Sequence, residues 1–308
     1  MGKLLVVGSI NMDLVVRVER IPREGETIPG GNLTFIPGGK GANQAVAGAL
    51  AGAEVSMIGR VGDDDNGRKL LNNLKTNGVK TGGIRIDDSV SSGLALISVD
   101  CNGQNSIIVV AGANGMVAGE DLKENEDLFH ESDILLLQHE IPQEAIEVAV
   151  LMANVHGTKV ILNPAPYRMV PKKLLGMTDY LIPNETECAE LTGYNVDSEE
   201  GMNKAADYLL NLGVDNLLIT LGKRGVFIVT KTSRQLIPAF SVKAVDTTAA
   251  GDTFIGSFAA RLLAGGQLHE AARYGCAAAA LSVQRFGAQT SMPYKQEIEA
   301  FLDKAARN

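Results

Sequence analysis

Residues 246–252 read Asp-Thr-Thr-Ala-Ala-Gly-Asp and lead directly into the apolar segment Thr-Phe-Ile-Gly-Ser-Phe-Ala-Ala-Arg-Leu-Leu at 253–263. Phe254, Phe258 and Leu262 recur every four residues, and this spacing predicts a helix with one buried face. Small residues and a carboxylate therefore stand where an apolar helix is expected to begin.

The start of this predicted helix combines an anion-binding backbone with an acidic side chain. The first turn of a helix has unpaired N–H groups and the positive end of the helix dipole. Ala249, Ala250 and Gly251 carry almost no side chain, so an anion can approach those N–H groups closely. A carboxylate at Asp252 is unfavourable beside a phosphate unless it takes a proton from an attacking alcohol. The combination indicates phosphoryl transfer to a hydroxyl, and the alternative is an Asp252 that only complements the dipole.

The composition is that of an ordinary globular protein. The chain has 308 residues, of which 45% are hydrophobic and 21% are charged, and this length suits one large α/β domain or two small ones. We interpret residues 1–308 as a single α/β domain. The net charge of −8 argues against a nucleic-acid partner, because such surfaces need clustered Lys and Arg.

The cysteines and the N-terminal residues bear on the cellular compartment. The chain has three cysteines, an odd number, at the widely spaced positions Cys101, Cys188 and Cys276. This pattern favours neither a disulfide framework nor a zinc site. The chain enters a predicted strand at Lys3–Val7 without a signal-peptide pattern, and no apolar stretch is long enough to span a bilayer. We expect a cytoplasmic protein with no membrane partner.

Short apolar runs alternate with helical patterns in the middle and C-terminal parts of the chain. The runs predict buried strands at Ile134–Leu137, Lys159–Leu162, Tyr180–Ile182 and Asn216–Leu221. Helical patterns lie near 143–155, 186–192 and 200–212. This alternation predicts a doubly wound, mostly parallel central sheet with helices on both faces, whose ligands sit at the carboxyl ends of the strands.

The N-terminal third includes β-rich segments that do not fit this alternation. Val15–Val18 is one, and Leu94–Val99 and Gln104–Val110 are joined across a turn that contains Asn-Gly, a strong hairpin signal. We predict a small projecting β-sheet from segments near 13–38 and 92–111. Such a sheet can cover a site as a lid, and its exposed face or edge would attract a partner subunit.

A second glycine-rich segment, Gly38-Gly39-Lys40-Gly41-Ala42-Asn43-Gln44-Ala45, precedes a predicted helix. Its glycines allow the backbone to approach a ligand, and Lys40 and Asn43 supply donors for a polyol or an anion. The segment is not a nucleotide-binding P-loop, because no Ser or Thr follows the Lys. The alternative is a glycine-rich turn before an Ala-rich helix.

Polar side chains follow several of the predicted strands. Asn11 and Asp13 lie after the first strand, where they can hydrogen-bond a substrate or simply form a turn. Asn184 and Glu187 can hold a water of a magnesium shell or act as an ordinary helix cap. Glu140 follows the strand at Ile134–Leu137 and is expected at the edge of the site.

Another strand end, Thr220-Leu221-Gly222-Lys223-Arg224-Gly225, is joined to a turn. This segment is expected to flank a nucleotide. A plain glycine turn would have the same sequence pattern.

Together these segments resemble the ribokinase family of carbohydrate kinases. Both hallmark segments of that family, Gly38–Asn43 and Asp246–Asp252, are present in order, and the similarity extends from Gly8 to Gln289. The chain is similar to the members that phosphorylate ribose at Asn11–Asp13, Gly39–Gln44, Ala111–Asn114, Asn163–Pro166 and Asn184–Glu187.

The resemblance implies an ATP-dependent kinase for the 5-hydroxyl of D-ribose. It implies a sugar site formed by Asn11, Asp13, Gly39, Lys40, Asn43, Glu140 and Asp252. Asp252 would be the base, and Ala249, Ala250 and Gly251 would form the anion hole. ATP would contact Asn184, Thr220, Gly222, Lys223, Gly225, Gly251 and Cys276. Asn184 and Glu187 would order the shell of Mg²⁺ bound with ATP.

The resemblance also implies an activating monovalent cation and a homodimer. The cation, typically K⁺, would bind beside the anion hole at Asp246, Thr248, Ser282, Arg285, Gly287 and Ser291, partly through backbone carbonyls. The β-lid would pair between two subunits. Two positions depart from the family pattern, since Ser257 replaces a usual Ala or Gly, and Cys276 replaces a His that some members place near the adenine.

Other substrates and one other class of function remain as alternatives. The same kinase chemistry suits 2-deoxyribose, fructose, a phosphorylated fructose or a nucleoside. A nucleoside needs apolar or aromatic walls, and the lid segments hold only Phe35, while a sugar phosphate would need cations near Asp13 or Glu140. The third hypothesis is a sugar-binding sensor without catalysis, which the presence of Asp252 and Lys40 argues against.

Overall fold

The computed structural model of the protein describes residues 2–307, and within this range its strands form two sheets. The strands are β1 (Lys3–Val7), β2 (Asn11–Val18), β3 (Gly30–Gly38), β4 (Glu54–Gly62), β5 (Val79–Asp87), β6 (Gly93–Val99), β7 (Asn105–Val110), β8 (Ile134–Leu137), β9 (Lys159–Leu162), β10 (Tyr180–Leu181), β11 (Asn216–Thr220), β12 (Val226–Thr230) and β13 (Arg234–Ile237).

Eleven helices and three short 3₁₀ turns connect these strands in residues 2–307. The helices are α1 (Lys40–Leu50), α2 (Asp65–Thr76), α3 (Gly119–Lys123), α4 (Glu126–Glu131), α5 (Gln143–His156), α6 (Lys172–Leu175), α7 (Glu185–Thr192), α8 (Glu199–Asn211), α9 (Ala250–Leu263), α10 (Leu268–Ser282) and α11 (Lys295–Arg307). The 3₁₀ turns are Gly112–Met116, Gly222–Arg224 and Gln289–Ser291.

The larger sheet has nine strands in the order β13-β12-β11-β10-β9-β8-β1-β4-β5. The seven strands from β11 to β5 are parallel, and β12 and β13 add an antiparallel edge. Strands β1 and β8 lie in the middle, where helices cover both faces, and this is why Leu4–Val7 and Ile134–Leu137 are continuously apolar. The predicted doubly wound, mostly parallel fold is confirmed.

In the large sheet the predicted strand boundaries differ from the observed ones by at most one residue, whereas the lid strand predicted at Val15–Val18 begins earlier, at Asn11. The strand expected at Tyr180–Ile182 ends at Leu181, and the strand expected at Asn216–Leu221 ends at Thr220. Helix α7 begins one residue before the predicted position because Asn184 caps it, with the side-chain oxygen accepting a hydrogen bond from the Glu187 N–H.

Two apolar cores lie on opposite faces of the large sheet. Helices α5 and α8 pack over one face, and α1, α2, α9 and α10 pack over the other. Helices α1 and α9 approach closely at Gly256, where a Cβ atom would lie 2.4 Å from the backbone oxygen of Gln44. This contact holds the start of α9 against the start of α1. No helix within residues 2–307 has both the length and the apolar character needed to cross a membrane.

The smaller sheet has the order β3-β2-β6-β7 and extends away from the carboxyl end of β1. Its β6–β7 hairpin confirms the prediction from the Asn-Gly turn, with Val99 opposite Asn105 and Gly103 at a φ of 78°. Strands β2 and β3 pair from Asn11 and Gly38 outward. The paired ends of β2 and β3 therefore lie within the segments 8–13 and 38–45, which the sequence predicts to be at the site.

Candidate active site

The candidate site lies at the carboxyl ends of the parallel strands β1 and β8, where α1 and α9 begin. Residues 8–13 follow β1, and Glu140 lies shortly after β8. Because β1 and β8 are adjacent and parallel, these two segments leave the sheet on the same edge. Side chains that are far apart in the sequence meet there.

Asp252 lies in the first turn of α9 and is 7% exposed. Both of its carboxylate oxygens accept hydrogen bonds from adjacent residues of α1. Asn43 Nδ2 donates to Oδ2 at 3.0 Å, and Gln44 Nε2 donates to Oδ1 at 2.9 Å. The two hallmark segments are thus joined through the Asp252 carboxylate.

The backbone at the start of α9 presents free donors beside Asp252. Ala249 has a φ of 56°, a left-handed conformation that costs free energy for a residue other than Gly. Within residues 2–307, the N–H groups of Ala249, Gly251 and Asp252 form no hydrogen bond, whereas Ala250 N–H donates to Thr247 O at 3.2 Å. A Cβ atom on Gly251 would meet no atom within 4 Å, so the space in front of these donors is open. The chemistry of this donor set fits a phosphate group.

Glu140 is held at the start of α1. Its Oε2 atom accepts hydrogen bonds from Ser9 Oγ at 2.6 Å and from the backbone N–H of Lys40 at 3.0 Å. Helix α1 has no side-chain cap from its own N-cap residue, Gly39, so Glu140 supplies the negative charge that the helix N-terminus favours.

The side chain of Lys40 is surrounded by carboxylates. Burial acts to lower the pKa of Lys40, but the charges of Asp252, Glu140 and Glu187 outweigh it and raise the pKa above its ordinary value. Lys40 is therefore positively charged at neutral pH, and it offsets the negative charge of the pocket.

Asp13 faces the same pocket from the smaller sheet. Burial, together with the negative charges of Glu140 and Asp252, raises the pKa of Asp13 to about 7. No donor among residues 2–307 forms a hydrogen bond with its carboxylate. A Cβ atom on Gly38 would lie 2.2 Å from Asp13 Oδ2, so only glycine leaves room for this carboxylate in its present position.

Asn11 is oriented by a residue from the 3₁₀ turn Gly112–Met116. Asn114 Nδ2 donates to Asn11 Oδ1 at 2.6 Å, which leaves the Asn11 amide N–H groups available to the pocket. Gly39 packs closely behind, at a φ of 88°, and a Cβ atom there would lie 2.8 Å from the Asn11 backbone nitrogen.

Asn184 and Glu187 form a reciprocal cap at the start of α7. The Asn184 N–H donates to Glu187 Oε2, Asn184 Nδ2 donates to Oε1, and the Glu187 N–H donates to Asn184 Oδ1. The capping alternative is therefore correct as local structure. Burial raises the pKa of Glu187 against the lowering effects of the Asn184 N–H and the Lys40 charge, while Asp252 raises it further, so Glu187 interacts with the charges of the pocket.

The predicted nucleotide segment lies beside this cap. The Thr220 N–H donates to Pro183 O at 2.9 Å, and a 3₁₀ turn follows at Gly222–Arg224 with Lys223 exposed. A Cβ atom on Gly222 would meet nothing within 4 Å. Gly225, at a φ of 104°, packs tightly against Ile237.

Cys276 is a buried residue of α10 that packs in the apolar core, and burial raises the pKa of its thiol to about 12. A contact between Cys276 and a nucleotide remains a prediction.

The residues predicted for the monovalent cation surround the loop that precedes α9. Asp246 Oδ1 accepts hydrogen bonds from the N–H and hydroxyl of Thr248, and Oδ2 accepts one from Gly287 N–H. The hydroxyls of Ser282 and Ser291 donate to backbone oxygens of Ala279 and Ala288, and Arg285 pairs with Glu297. These residues would supply oxygen ligands only, from the Asp246 carboxylate and from backbone carbonyls, and such a ligand set fits an alkali cation.

No group of three or more His, Cys, Asp and Glu side chains within residues 2–307 is arranged to hold a metal ion directly. The oxygens of Asn184 and Glu187 instead fit Mg²⁺ that keeps several of its waters, because this ion prefers oxygen ligands and loses water reluctantly.

Several polar residues at the site were not singled out from the sequence. They are Ser9, Gln44, Asn73, Asn114, Gln138, Asn163 and Gln289. Gln44, Asn114 and Asn163 lie in segments that carried the family resemblance, and this was the available signal. Ser9 and Gln289 lie in the two segments at the ends of that resemblance, whereas Asn73 and Gln138 are isolated amides whose partners are distant in the sequence.

Comparison with known proteins places this geometry in a family. Residues 1–295 match the sequence profile described as pfkB family carbohydrate kinase. A ribokinase from Haemophilus influenzae is 42% identical over 302 residues, which cover 98% of this chain and 99% of that protein. A deoxyribokinase from Salmonella typhi is 36% identical over 300 residues, which cover 97% of this chain and 98% of that protein.

The structure of Arabidopsis thaliana ribokinase complexed with ribose and ATP superposes with a TM-score of 0.93 at 35% sequence identity, covering 98% of this chain and 99% of the Arabidopsis chain. The fold, the two hallmark segments and the full-length similarity all indicate the same family. The chain belongs to the pfkB family of carbohydrate kinases.

Proposed function

We propose that this protein is an ATP-dependent sugar kinase that transfers the γ-phosphoryl group of ATP to the 5-hydroxyl of D-ribose, giving D-ribose 5-phosphate and ADP. The observation that carries the proposal is the Asp252 carboxylate, held by Asn43 and Gln44 beside the free N–H groups of α9. Relatives named ribokinase cover nearly the whole chain at about 42% identity, and this supports ribose as the acceptor.

The sugar is bound by groups from both walls of the pocket. They are Asn11, Asp13, Gly39, Lys40, Asn43, Glu140 and Asp252. The carboxylates accept hydrogen bonds from sugar hydroxyls, while amide and ammonium groups donate to them. A pocket with three carboxylates and one lysine favours an uncharged polyol over a sugar phosphate, because a second phosphate would meet like charge.

Asp252 acts as the base in the transfer. The carboxylate accepts the proton of the 5-hydroxyl while that oxygen attacks the γ-phosphorus, and the bond to the β-phosphate oxygen breaks. The N–H groups of Ala249, Gly251 and Asp252 stabilise the negative charge on the transferred phosphoryl group. Ala250 joins this anion hole if its hydrogen bond with Thr247 opens when the nucleotide binds. Burial of Asp252 limits the access of water, which competes with the sugar as an acceptor.

The nucleotide is proposed to lie along the carboxyl ends of β10 and β11. Its contacts are Asn184, Thr220, Gly222, Lys223, Gly225, Gly251 and Cys276. The exposed Lys223 and the open space at Gly222 support a phosphate or ribose contact at this turn.

Two metal ions are expected to assist. Asn184 and Glu187 would hold the water shell of Mg²⁺, which when bound neutralises charge on the ATP phosphates. A monovalent cation, K⁺ by preference, would bind at Asp246, Thr248, Ser282, Arg285, Gly287 and Ser291 and stabilise the loop that ends in the anion hole. The Arg285 side chain already pairs with Glu297, so only its backbone oxygen would contribute.

The smaller sheet is proposed to serve as a lid and as the contact between two subunits in the cytoplasm. Phe35, Leu14, Leu96 and Ile108 form one row across its four strands. Three of these side chains are more than 40% exposed, with Ile108 at 62%. Leu14 points to the face opposite Asp13, because successive residues of a strand alternate. A second copy of the chain would cover this apolar face while the other face closes the sugar pocket.

The proposal is tested by measuring ADP release from MgATP in KCl with D-ribose, 2-deoxyribose, fructose, fructose 6-phosphate and adenosine as acceptors. We expect a strong preference for D-ribose, a phosphorus–proton coupling at C5 of the product, and lower turnover when Na⁺ or a bulky organic cation replaces K⁺. Turnover with another acceptor would identify that acceptor as the substrate and would leave the proposed phosphoryl-transfer chemistry unchanged. Ribose binding without turnover on any acceptor would contradict the proposed kinase activity and favour a sugar-binding sensor without catalysis.

2-Deoxyribose is the second candidate acceptor. The Salmonella typhi deoxyribokinase is 36% identical to this chain over nearly its whole length. The two sugars differ by one hydroxyl, whose partner decides the preference. The ratio of kcat/KM for the two sugars is the measurement that separates them.

A further inference from the structure

Two chains of side-chain amides converge on the carboxylate of Asp252. In the first chain, Gln138 Nε2 donates to Gln44 Oε1 at 2.7 Å, and Gln44 Nε2 donates to Asp252 Oδ1 at 2.9 Å. Gln44 Nε2 also donates to Asn163 Oδ1 at 3.0 Å, so both of its N–H groups are used. Gln44 and Gln138 are fully buried.

The second chain ends at the other carboxylate oxygen of Asp252. Asn73 of α2 donates to Gln289 Oε1, Gln289 Nε2 donates to Asn43 Oδ1 at 3.0 Å, and Asn43 Nδ2 donates to Asp252 Oδ2 at 3.0 Å. Asn43 and Gln44 are adjacent on α1, so one helix brings both chains to Asp252.

The direction of both chains follows from the charge at their end. An ionised carboxylate can only accept hydrogen bonds, so Asn43 and Gln44 must turn their N–H groups toward Asp252. Their oxygens then face away and need donors, which Gln289 and Gln138 supply. Every amide dipole along both chains therefore points its positive end toward Asp252, and each hydrogen bond strengthens the next.

We propose that Gln44 is a positioning residue for Asp252: the polarised amide chains hold both carboxylate oxygens so that a free lone pair stays aimed at the sugar hydroxyl. This inference rests on the proposed role of Asp252 as the base. Gln44 is not one of the proposed sugar contacts, and its effect on the reaction is exerted through its hydrogen bond with Asp252, which orients that carboxylate.

A buried glutamine also contributes to stability, and the kinetic constants separate the two roles. A positioning role lowers kcat while the KM for ribose and the affinity for ribose stay nearly unchanged. A purely structural role lowers the fraction of folded protein and leaves kcat per folded molecule intact.

The test compares Gln44→Met with the matched control Thr178→Val. Thr178 is also buried, its hydroxyl donates to Leu174 O, and it precedes β10, at the opposite edge of the sheet from the site. We expect Gln44→Met to lower kcat by roughly ten- to a hundredfold. The KM for ribose and MgATP, and the ribose dissociation constant from calorimetry without nucleotide, should change less than about threefold. Thr178→Val should lose stability and keep kcat.

If Gln44→Met does not fold, a second variant tests the same positioning role. Gln138→Met removes only the donor that fixes the orientation of Gln44, and it should lower kcat by a few-fold with ribose affinity retained. Suppose that the wild-type protein phosphorylates ribose and that the folded variant keeps a near-normal kcat per folded molecule. This result would overturn the positioning role of Gln44 and would leave the proposed function standing. A wild-type protein without turnover would overturn the proposed function and the positioning role together.

Discussion

The two walls of the proposed sugar pocket carry their carboxylates in different states. On the helix wall, Asp252 is buried and accepts amide hydrogen bonds on both oxygens. On the lid wall, Asp13 has no hydrogen-bond donor among residues 2–307, and burial raises its pKa to about 7. The helix wall belongs to the nine-stranded sheet and its packed helices, while the lid wall belongs to the four-stranded sheet.

This difference indicates that Asp252 is preorganised for the chemical step, whereas Asp13 is available for binding the sugar. The environment of Asp252 is complete before any ligand arrives, which is what a base needs if its geometry is to cost nothing during the reaction. Asp13 lacks partners, and a sugar hydroxyl would supply one. The pocket therefore has a preorganised side and a side that the ligand completes.

The largest expected effect tests the helix wall. Asp252→Asn removes the proposed base. It also places an amide N–H group against the N–H groups of Asn43 or Gln44, so the amides of one chain must flip. We expect kcat to fall by about 10²- to 10⁴-fold. Steady-state ADP release measures this, and ribose calorimetry checks that the sugar still binds. A kcat within tenfold of wild type would mean that another group accepts the proton.

The next effect tests the lid wall through its glycine. In Gly38→Ala the new Cβ would lie 2.2 Å from Asp13 Oδ2, and the atom that must move is the carboxylate itself. We expect the KM for ribose to rise by roughly ten- to a hundredfold, as for loss of a hydrogen bond with a charged group, while kcat falls much less. Gly82→Ala is the matched control, since a Cβ there would meet nothing within 4 Å. Equal effects of the two variants would contradict the argument.

A smaller effect is expected from pH. In the proposed site a sugar hydroxyl donates to the ionised form of Asp13, so we expect ribose to bind best above the pKa of about 7 and more weakly below it. The dissociation constant should rise about tenfold per unit of pH below that value. Lys40, whose pKa is raised, stays charged throughout this range. Calorimetry of ribose binding without nucleotide from pH 5.5 to 8 avoids the titration of ATP, and Asp13→Asn should remove the slope.

The smallest effect concerns stability. The folded-state pKa of Asp13 lies above its ordinary value of 3.8, so the folded protein binds this proton more tightly and its free energy of unfolding declines as the pH rises from about 4 through 7. Asp13→Asn should therefore raise the melting temperature by a few degrees at pH 8 and by less at pH 5.5. Thermal unfolding at both pH values measures this. A lower melting temperature at pH 8 would mean that the ionised carboxylate stabilises the fold.

The sequence alone determined the local features of this protein. Continuous apolar runs identified the buried strands, because parallel strands covered on both faces need them. The small residues at 249–251 followed by Phe254 and Phe258 identified a helix start with open donors, and Asn-Gly identified the β6–β7 hairpin. These features depend on neighbouring residues, whose spacing can be read directly along the chain.

The tertiary structure alone decided which side chains meet at the site. Asn73, Asn43, Gln289 and Asp252 come from four separate segments, and no local pattern marks an amide as part of a hydrogen-bonded chain. The raised pKa of Asp13 has the same origin, because it depends on burial and on two carboxylates distant in the sequence. Electrostatic and hydrogen-bonding effects act through space over a few ångströms, and only the packed fold determines which groups come that close.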